Sequence, residues 1–204
     1  MCCLRIGVCE VRVRLIYSKR GGACFVPHIA LAQVFGRSAA RAGFTLTMTE
    51  GFSPRAKLSF GPELPAGVVA LNEPVDVYFA GTPEDILPRM NASLPEGFRV
   101  SEVLFPPEGS PNLGKSCKFA EYLLRSVRGL EMAGLAGEFY GESAVKCAMS
   151  GEWLRLILAE PSQNPIGGFA RHLGNDGLIA GWHEVNIVRT RVGLYREGQV
   201  RMYA

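Results

Sequence analysis

The chain has 204 residues, 48% hydrophobic and 20% charged, enough apolar material for one large core or two small ones and too much for a disordered chain. No apolar run approaches the roughly eighteen residues that a membrane span needs, and residues 1–14 lack the long apolar centre of a signal peptide, so a cytoplasmic protein without a membrane partner is expected. The six cysteines (Cys2, Cys3, Cys9, Cys24, Cys117 and Cys147) form no CxxC pair and read as reduced thiols; no metal, iron–sulfur cluster or other cofactor is expected.

In chain order, residues 11–17 alternate with the period of a half-buried strand, Val11, Val13, Leu15 and Tyr17 on one face and Arg12 and Arg14 on the other. Lys19-Arg20-Gly21-Gly22 closes it as a loop. Pro27 opens a helix in which Leu31, Val34, Phe35, Ser38 and Ala42 share a face and Gly43 is the stop; the opposite face carries Gln33, Arg37 and Arg41. A short strand over 44–48 leads into a Gly/Pro-rich stretch ending at Gly67. Residues 74–80 alternate again, Thr82-Pro83-Glu84-Asp85 opens a helix with a hydroxyl cap and acids against the dipole, and 98–104 is a strand.

After the Pro/Gly/Ser stretch 105–114 the same order recurs. Residues 118–127 form a strand, 129–137 a short helix, 143–150 and 152–159 a hairpin around Ser150-Gly151, 165–173 a helix and 182–195 a last strand. The expected fold is α+β: two tandem ferredoxin-like βαββαβ modules, residues 11–104 and 118–195, joined by a linker over 105–117. Each module has an antiparallel sheet with helices on one face.

The formal net charge of +3 conceals a strong asymmetry. Residues 11–62 carry eight Lys/Arg against one acid, Glu50, whereas 63–104 carry two against seven acids. A basic block inside a folded segment suits phosphate or an acidic partner as well as a solvated face. At its centre, Arg55 and Lys57 with the hydroxyls of Ser53 and Ser59 make an anion cradle, shaped by Gly51, Gly61 and Gly67 and stiffened by Pro54, Pro62 and Pro65. The alternative is a rigid crossover whose Phe52 and Phe60 cover the core.

Phe25-Val26-Pro27-His28-Ile29-Ala30-Leu31, then Arg37-Ser38-Ala39-Ala40-Arg41-Ala42-Gly43, then the run from Glu50-Gly51-Phe52-Ser53-Pro54-Arg55 through Leu64-Pro65-Ala66-Gly67 resembles the bacterial radical-SAM-linked protein family, a domain of unknown function. The resemblance covers residues 11–195, most closely in the first third. It implies a radical SAM protein as partner, fused or encoded alongside, and an accessory role in RNA metabolism with no established activity. Relatives commonly read Ser-His-Leu-Asp where this chain has Pro27-His28-Ile29-Ala30, so the acid that could orient the histidine is missing. The first module is also similar to the ferredoxin-like units of CRISPR repeat-processing ribonucleases, an analogy of fold alone.

These readings converge on an accessory binding protein of a radical SAM system that holds structured RNA, a tRNA or rRNA segment. The expected contacts are Arg12, Arg14, Arg37, Arg41, Arg55 and Lys57, with Ser53 and Ser59 as hydroxyl donors. Arg12 and Arg14 on the first strand, like Arg189 and Arg191 on the last, are expected on an accessible sheet face. One rival is a metal-independent ribonuclease or RNA-modifying enzyme using His28 with Arg55 or Lys57. A second is a module whose basic face docks the radical SAM enzyme without RNA.

Overall fold

The computed structural model describes residues 9–202; Cys2 and Cys3 lie outside them. β1 (Glu10–Lys19) is the expected alternating strand, with Val13, Leu15 and Tyr17 buried in an apolar core. Pro27 leads into a 3-10 turn at His28–Ala30 and then α1 (Leu31–Arg41), whose Leu31, Phe35 and Ala39 pack into that core. Gly43, at φ +75°, ends the helix, and its left-handed backbone lets the Phe44 N–H donate to the Ala39 carbonyl at 2.9 Å.

Residues 44–48 do not form the expected strand; they meet their neighbours at single bridges, Leu46 to Phe79 and Met48 to Ala56. Thr47 donates its N–H to Tyr78 while its carbonyl accepts from Lys57, so the segment is shared between two partners and runs as a ladder with neither. β2 (Leu58–Phe60) and β3 (Val69–Ala80) follow. β3 starts earlier than its alternation predicts because Asn72, Glu73 and Pro74 disguise its first half.

α2 (Ile86–Ser93) begins beyond the Thr82 cap. Pro88 has no N–H to donate and is tolerated only in a first turn, so the helix starts just before it, with Asp85 at φ +51° in the cap position. β4 (Phe98–Leu104) completes the first half.

The linker holds a one-turn helix, α3 (Leu113–Ser116), where the Asn112 side-chain oxygen accepts from the Lys115 N–H. The second half then runs β5 (Phe119–Ser126), α4 (Met132–Tyr140), β6 (Ala144–Ser150), β7 (Trp153–Ala159), α5 (Ile166–Asn175), β8 (Val185–Arg196) and β9 (Gln199–Arg201). α4 starts later than expected because the Glu131 carboxylate caps it, accepting from the N–H groups of Ala133 and Gly134.

The result is a mixed α/β fold around one large, mostly antiparallel sheet, ordered β4-β1-β3-β8-β5-β7-β6, with β2 on β3 and β9 on β8. β9 aside, within each half the fourth strand pairs with the first, the first with the third, and the third with the second. The expected separate sheets are replaced by a continuous one: β3 and β8 pair in parallel at Val69–Val188 and Ala70–Arg189. No described helix is long and apolar enough to cross a membrane.

This strand order dictates the path of the linker. The chain leaves the sheet at edge strand β4 and re-enters at β5, so residues 105–117 must pass the strands that lie between. Arg12 anchors that crossing, donating to the carbonyls of Ser110 and Pro111, both at 2.8 Å.

Candidate functional site

The arginines of β1 are not on an open face. Arg14 is 1% exposed and grips Asp76 of β3 through Nε at 2.7 Å and Nη2 at 3.1 Å, while Arg12 donates its Nε to the same carboxylate at 2.9 Å. The register puts Arg14 opposite Asp76 on neighbouring strands, and the linker covers the pair. Alternation correctly separated these arginines from the apolar face; burial by a remote segment then turned them into structural ion pairs. Arg14 is thus closed to solvent and Arg12, part exposed, is bonded within the protein, where an accessible basic face was expected.

Arg189 behaves likewise, 1% exposed where the two halves meet. Its Nε and Nη2 donate to the two Glu73 oxygens at 2.7 and 2.6 Å, and Nη1 and Nη2 to the carbonyls of Glu63 and Pro62 at 3.1 and 2.9 Å. Burial works against its charge, and the Glu73 carboxylate more than offsets this, keeping the guanidinium ionised. Around the pair, burial pushes the Tyr17 and Tyr122 phenols up and lowers the Lys19 ammonium, whose Nζ donates to the Val26 carbonyl at 2.9 Å.

The Gly/Pro-rich stretch consequently divides in function. Residues 61–67 are the rigid crossover: Arg189 holds their carbonyls, and the Gly67 N–H, at φ +88°, donates to the Cys24 carbonyl at 2.8 Å. Pro65 abuts α5, where a Cβ on Gly167 would stand 3.1 Å from its ring, and a Cβ on Gly61 would stand 3.3 Å from Pro74. Phe60 packs edge-on against Phe35 and His28, with centroids 5.9 and 5.8 Å away.

His28 is half-buried, and its Nδ1 has no hydrogen-bond partner among the described residues. Burial lowers its pKa below the ordinary 6.5, so the ring is neutral at pH 7. An imidazole with neither an orienting carboxylate bond nor a hydroxyl or cation bonded to it is poorly arranged as a general base.

On the second half, burial raises the Glu121 carboxyl, but hydrogen bonds from Arg155 (2.8 Å) and Thr190 (3.0 Å) outweigh it and bring the pKa below the ordinary 4.5. A folded value below the unfolded one adds stability that is complete above pH 4.5 and is lost as pH falls through the lowered value. Glu121→Gln is expected to flatten the acid limb of a stability–pH profile measured by urea denaturation. An unchanged slope in that window would show that the carboxylate does not contribute.

Two further predicted contacts are engaged elsewhere. Arg41 donates to the Ser93 carbonyl at 2.7 Å and the Ser38 hydroxyl at 3.1 Å, joining α1 to the end of α2. Lys57 is paired with Glu10 at 2.7 Å and lies over the Tyr78 ring at 4.5 Å, while Ser59 sits opposite Asp76 in the β2–β3 register.

Arg37, Ser53 and Arg55 remain exposed. The Thr49 N–H donates to the Arg55 carbonyl at 2.7 Å and the Arg55 N–H to the Thr49 hydroxyl at 3.1 Å, closing a loop with Gly51-Phe52-Ser53-Pro54 at its tip. Gly51 takes φ +117°, a conformation that favours glycine. Phe52 is 109% exposed, as open as in an extended peptide, and does not cover the core as one reading of the sequence had it.

The loop rests on α1, where a Cβ on Gly36 would be 3.5 Å from that of Ala56. Arg37 follows one side of this contact and Arg55 precedes the other, so each exposed cation is one residue from the place where helix and loop touch. Phe52 is the residue whose exposure sequence reasoning missed, and its signal was a lone aromatic between turn-forming Gly51 and Pro54.

Residues 12–161 match a family model described as an uncharacterized protein conserved in bacteria (DUF2344), well over half of the chain. No curated protein matches it.

Proposed function

We propose, for a chain that belongs to the uncharacterized bacterial DUF2344 family, that it is a binding protein whose exposed loop and adjoining α1 face hold structured RNA. The observation that carries this reading is Phe52, fully exposed at the tip of a loop whose only nearby free cations are Arg55 and, across the Gly36–Ala56 contact, Arg37, as counted among the described residues. An aromatic face beside guanidinium groups matches an unpaired base flanked by phosphates. Arg41 and Lys57 border this surface but are already bonded within the protein.

The repeated strand order supports reading each half as a ferredoxin-like βαββαβ unit, two of them fused edge to edge. The resemblance to radical-SAM-linked proteins supports a radical SAM enzyme as the partner that acts on the held RNA. The chain's own role is then presentation, in keeping with a His28 that has no catalytic neighbour.

Fluorescence anisotropy with a labelled stem-loop RNA at several salt concentrations tests the reading. Phe52→Ala should weaken binding by about tenfold with little change in salt dependence, because a lost stack involves no counterions. Arg37→Ala with Arg55→Ala should instead lower the salt slope by about 0.7–0.9 per cation removed. Lys57→Ala should change it less. If the wild-type protein shows no salt-dependent RNA binding, the proposal is wrong, and the loop belongs to a protein interface.

A further inference from the structure

At the opposite end of β1 from the basic loop, a cleft of about 630 Å³ opens beside the β1–β4 pair. Ser18 and Arg99 are partners in that register, and Arg20 follows β1 with its N–H bonded to the Gly97 carbonyl at 2.9 Å. Arg20 and Arg99 both line the cleft, neither has a carboxylate partner among the described residues, and no acid lines it. Asn72 adds an amide that gives one hydrogen to the Thr190 carbonyl at 2.9 Å and has a second to offer. Asn91 borders the cleft as well and is held in place by the Val100 backbone, which both its polar atoms bond.

Asn72 also lines a second cleft of about 470 Å³, where Ile16, Leu104, Val192 and Val200 form an apolar wall and Arg191 and Glu102 supply polar groups. The two clefts thus meet at Asn72, one offering donors without an acceptor carboxylate and the other offering apolar surface.

We propose that this double cleft binds a small phosphate ester of nucleotide size, its phosphate held by Arg20 and Arg99 with Ser18 and Asn72, its organic part against the apolar wall. Guanidinium forks match phosphate oxygens in a way that a carboxylate-free pocket leaves unused by the protein itself. Each cleft by itself falls within the size range of small-molecule sites, and a pocket uniting a few polar groups with an apolar wall is their usual form. Edge protection accounts for a charge on β4, since charged residues keep edge strands from pairing, but it gives no reason for Arg20 and Asn72 to line the same hollow. A polynucleotide is the less suitable occupant, because the free cations of the basic loop lie at the other end of the strand.

Isothermal titration calorimetry with AMP, adenosine and inorganic phosphate as probes tests the site in the full chain. AMP should bind, adenosine should not, and inorganic phosphate should bind more weakly than AMP. Arg20→Ala and Arg99→Ala should each weaken AMP by about tenfold or more, in line with a lost charge-assisted hydrogen bond.

Arg99→Lys keeps the charge that protects the edge, so it should elute as the wild type does in size-exclusion chromatography while losing part of the affinity. Phe52→Ala, remote from the cleft, should bind AMP normally. The proposal fails if AMP does not bind at millimolar concentration, if adenosine binds as well as AMP, or if Arg99→Ala changes only aggregation. It also fails if an oligonucleotide, but not AMP, binds in an Arg20-dependent manner.

Discussion

Arg189→Ala is expected to destabilise the protein by about 3–5 kcal/mol, the range for removing one partner of a buried ion pair. The cost arises from what remains: the Glu73 carboxylate, itself buried, loses both of its guanidinium bonds, and the carbonyls of Pro62 and Glu63 lose their donor. For a chain of this size each kcal/mol lowers Tm by about 2–4 °C, so the transition should move by roughly 6–20 °C in a thermal melt.

Glu73 is on β3 and Arg189 on β8, so the pair joins the two halves beside their short parallel contact. The loss should therefore loosen residues 61–67, seen as faster amide exchange at Gly67. Replacing both charges, Glu73→Leu with Arg189→Met, should recover much of the stability, because an apolar pair has no unpaired charge to bury. A shift of less than about 1 kcal/mol for Arg189→Ala, the size of a surface ion pair, would show that the junction does not depend on this bond.

Asp76→Ala should cost a similar amount, about 3–5 kcal/mol, for the same reason at a different place. Asp76 is fully buried and serves two arginines at once; without it Arg14 keeps a buried guanidinium and loses its carboxylate.

Arg12→Ala separates this core effect from the linker's attachment. Arg12 is partly exposed and keeps Ser110 and Pro111 on the sheet, so its loss should change Tm by less than Asp76→Ala while speeding protease cleavage within 105–112. Equal destabilisation by the two variants, with no new cleavage, would contradict this division of labour.

The charge pattern of the first half invited a surface reading that the tertiary structure changed. Of the eight Lys and Arg within residues 11–62, Arg12, Arg14, Lys19, Arg41 and Lys57 are bonded inside the protein, and several of their partners are the acids and carbonyls of later segments. Two of the acids after this stretch do the same on β3: Asp76 is bonded by Arg12 and Arg14, and Glu73 by Arg189 from the second half. A surplus of one sign in one segment, followed by the opposite sign in the next, reads equally well as internal pairing, and strand order decides between them.

Local pattern alone determined the elements that depend on near neighbours. The alternation in 11–17, the helical spacing of Leu31 and Phe35 ended by Gly43, the hairpin around Ser150-Gly151 and the recurrence of one element order in both halves were all readable, because side-chain period and turn chemistry act over a few residues. Which side of β1 faces the apolar core was likewise legible, but not what lies over its other side. That was decided by the sheet's order, which carries the linker from β4 to β5 past the strands between and buries Arg14 beneath it. The parallel join of β3 to β8, the Arg189–Glu73 bond and the exposure of Phe52 arise in the same way. Each depends on segments far apart in the chain whose meeting has no local periodicity to announce it, since a charge or an aromatic ring has the same sequence whether it is covered or left in water.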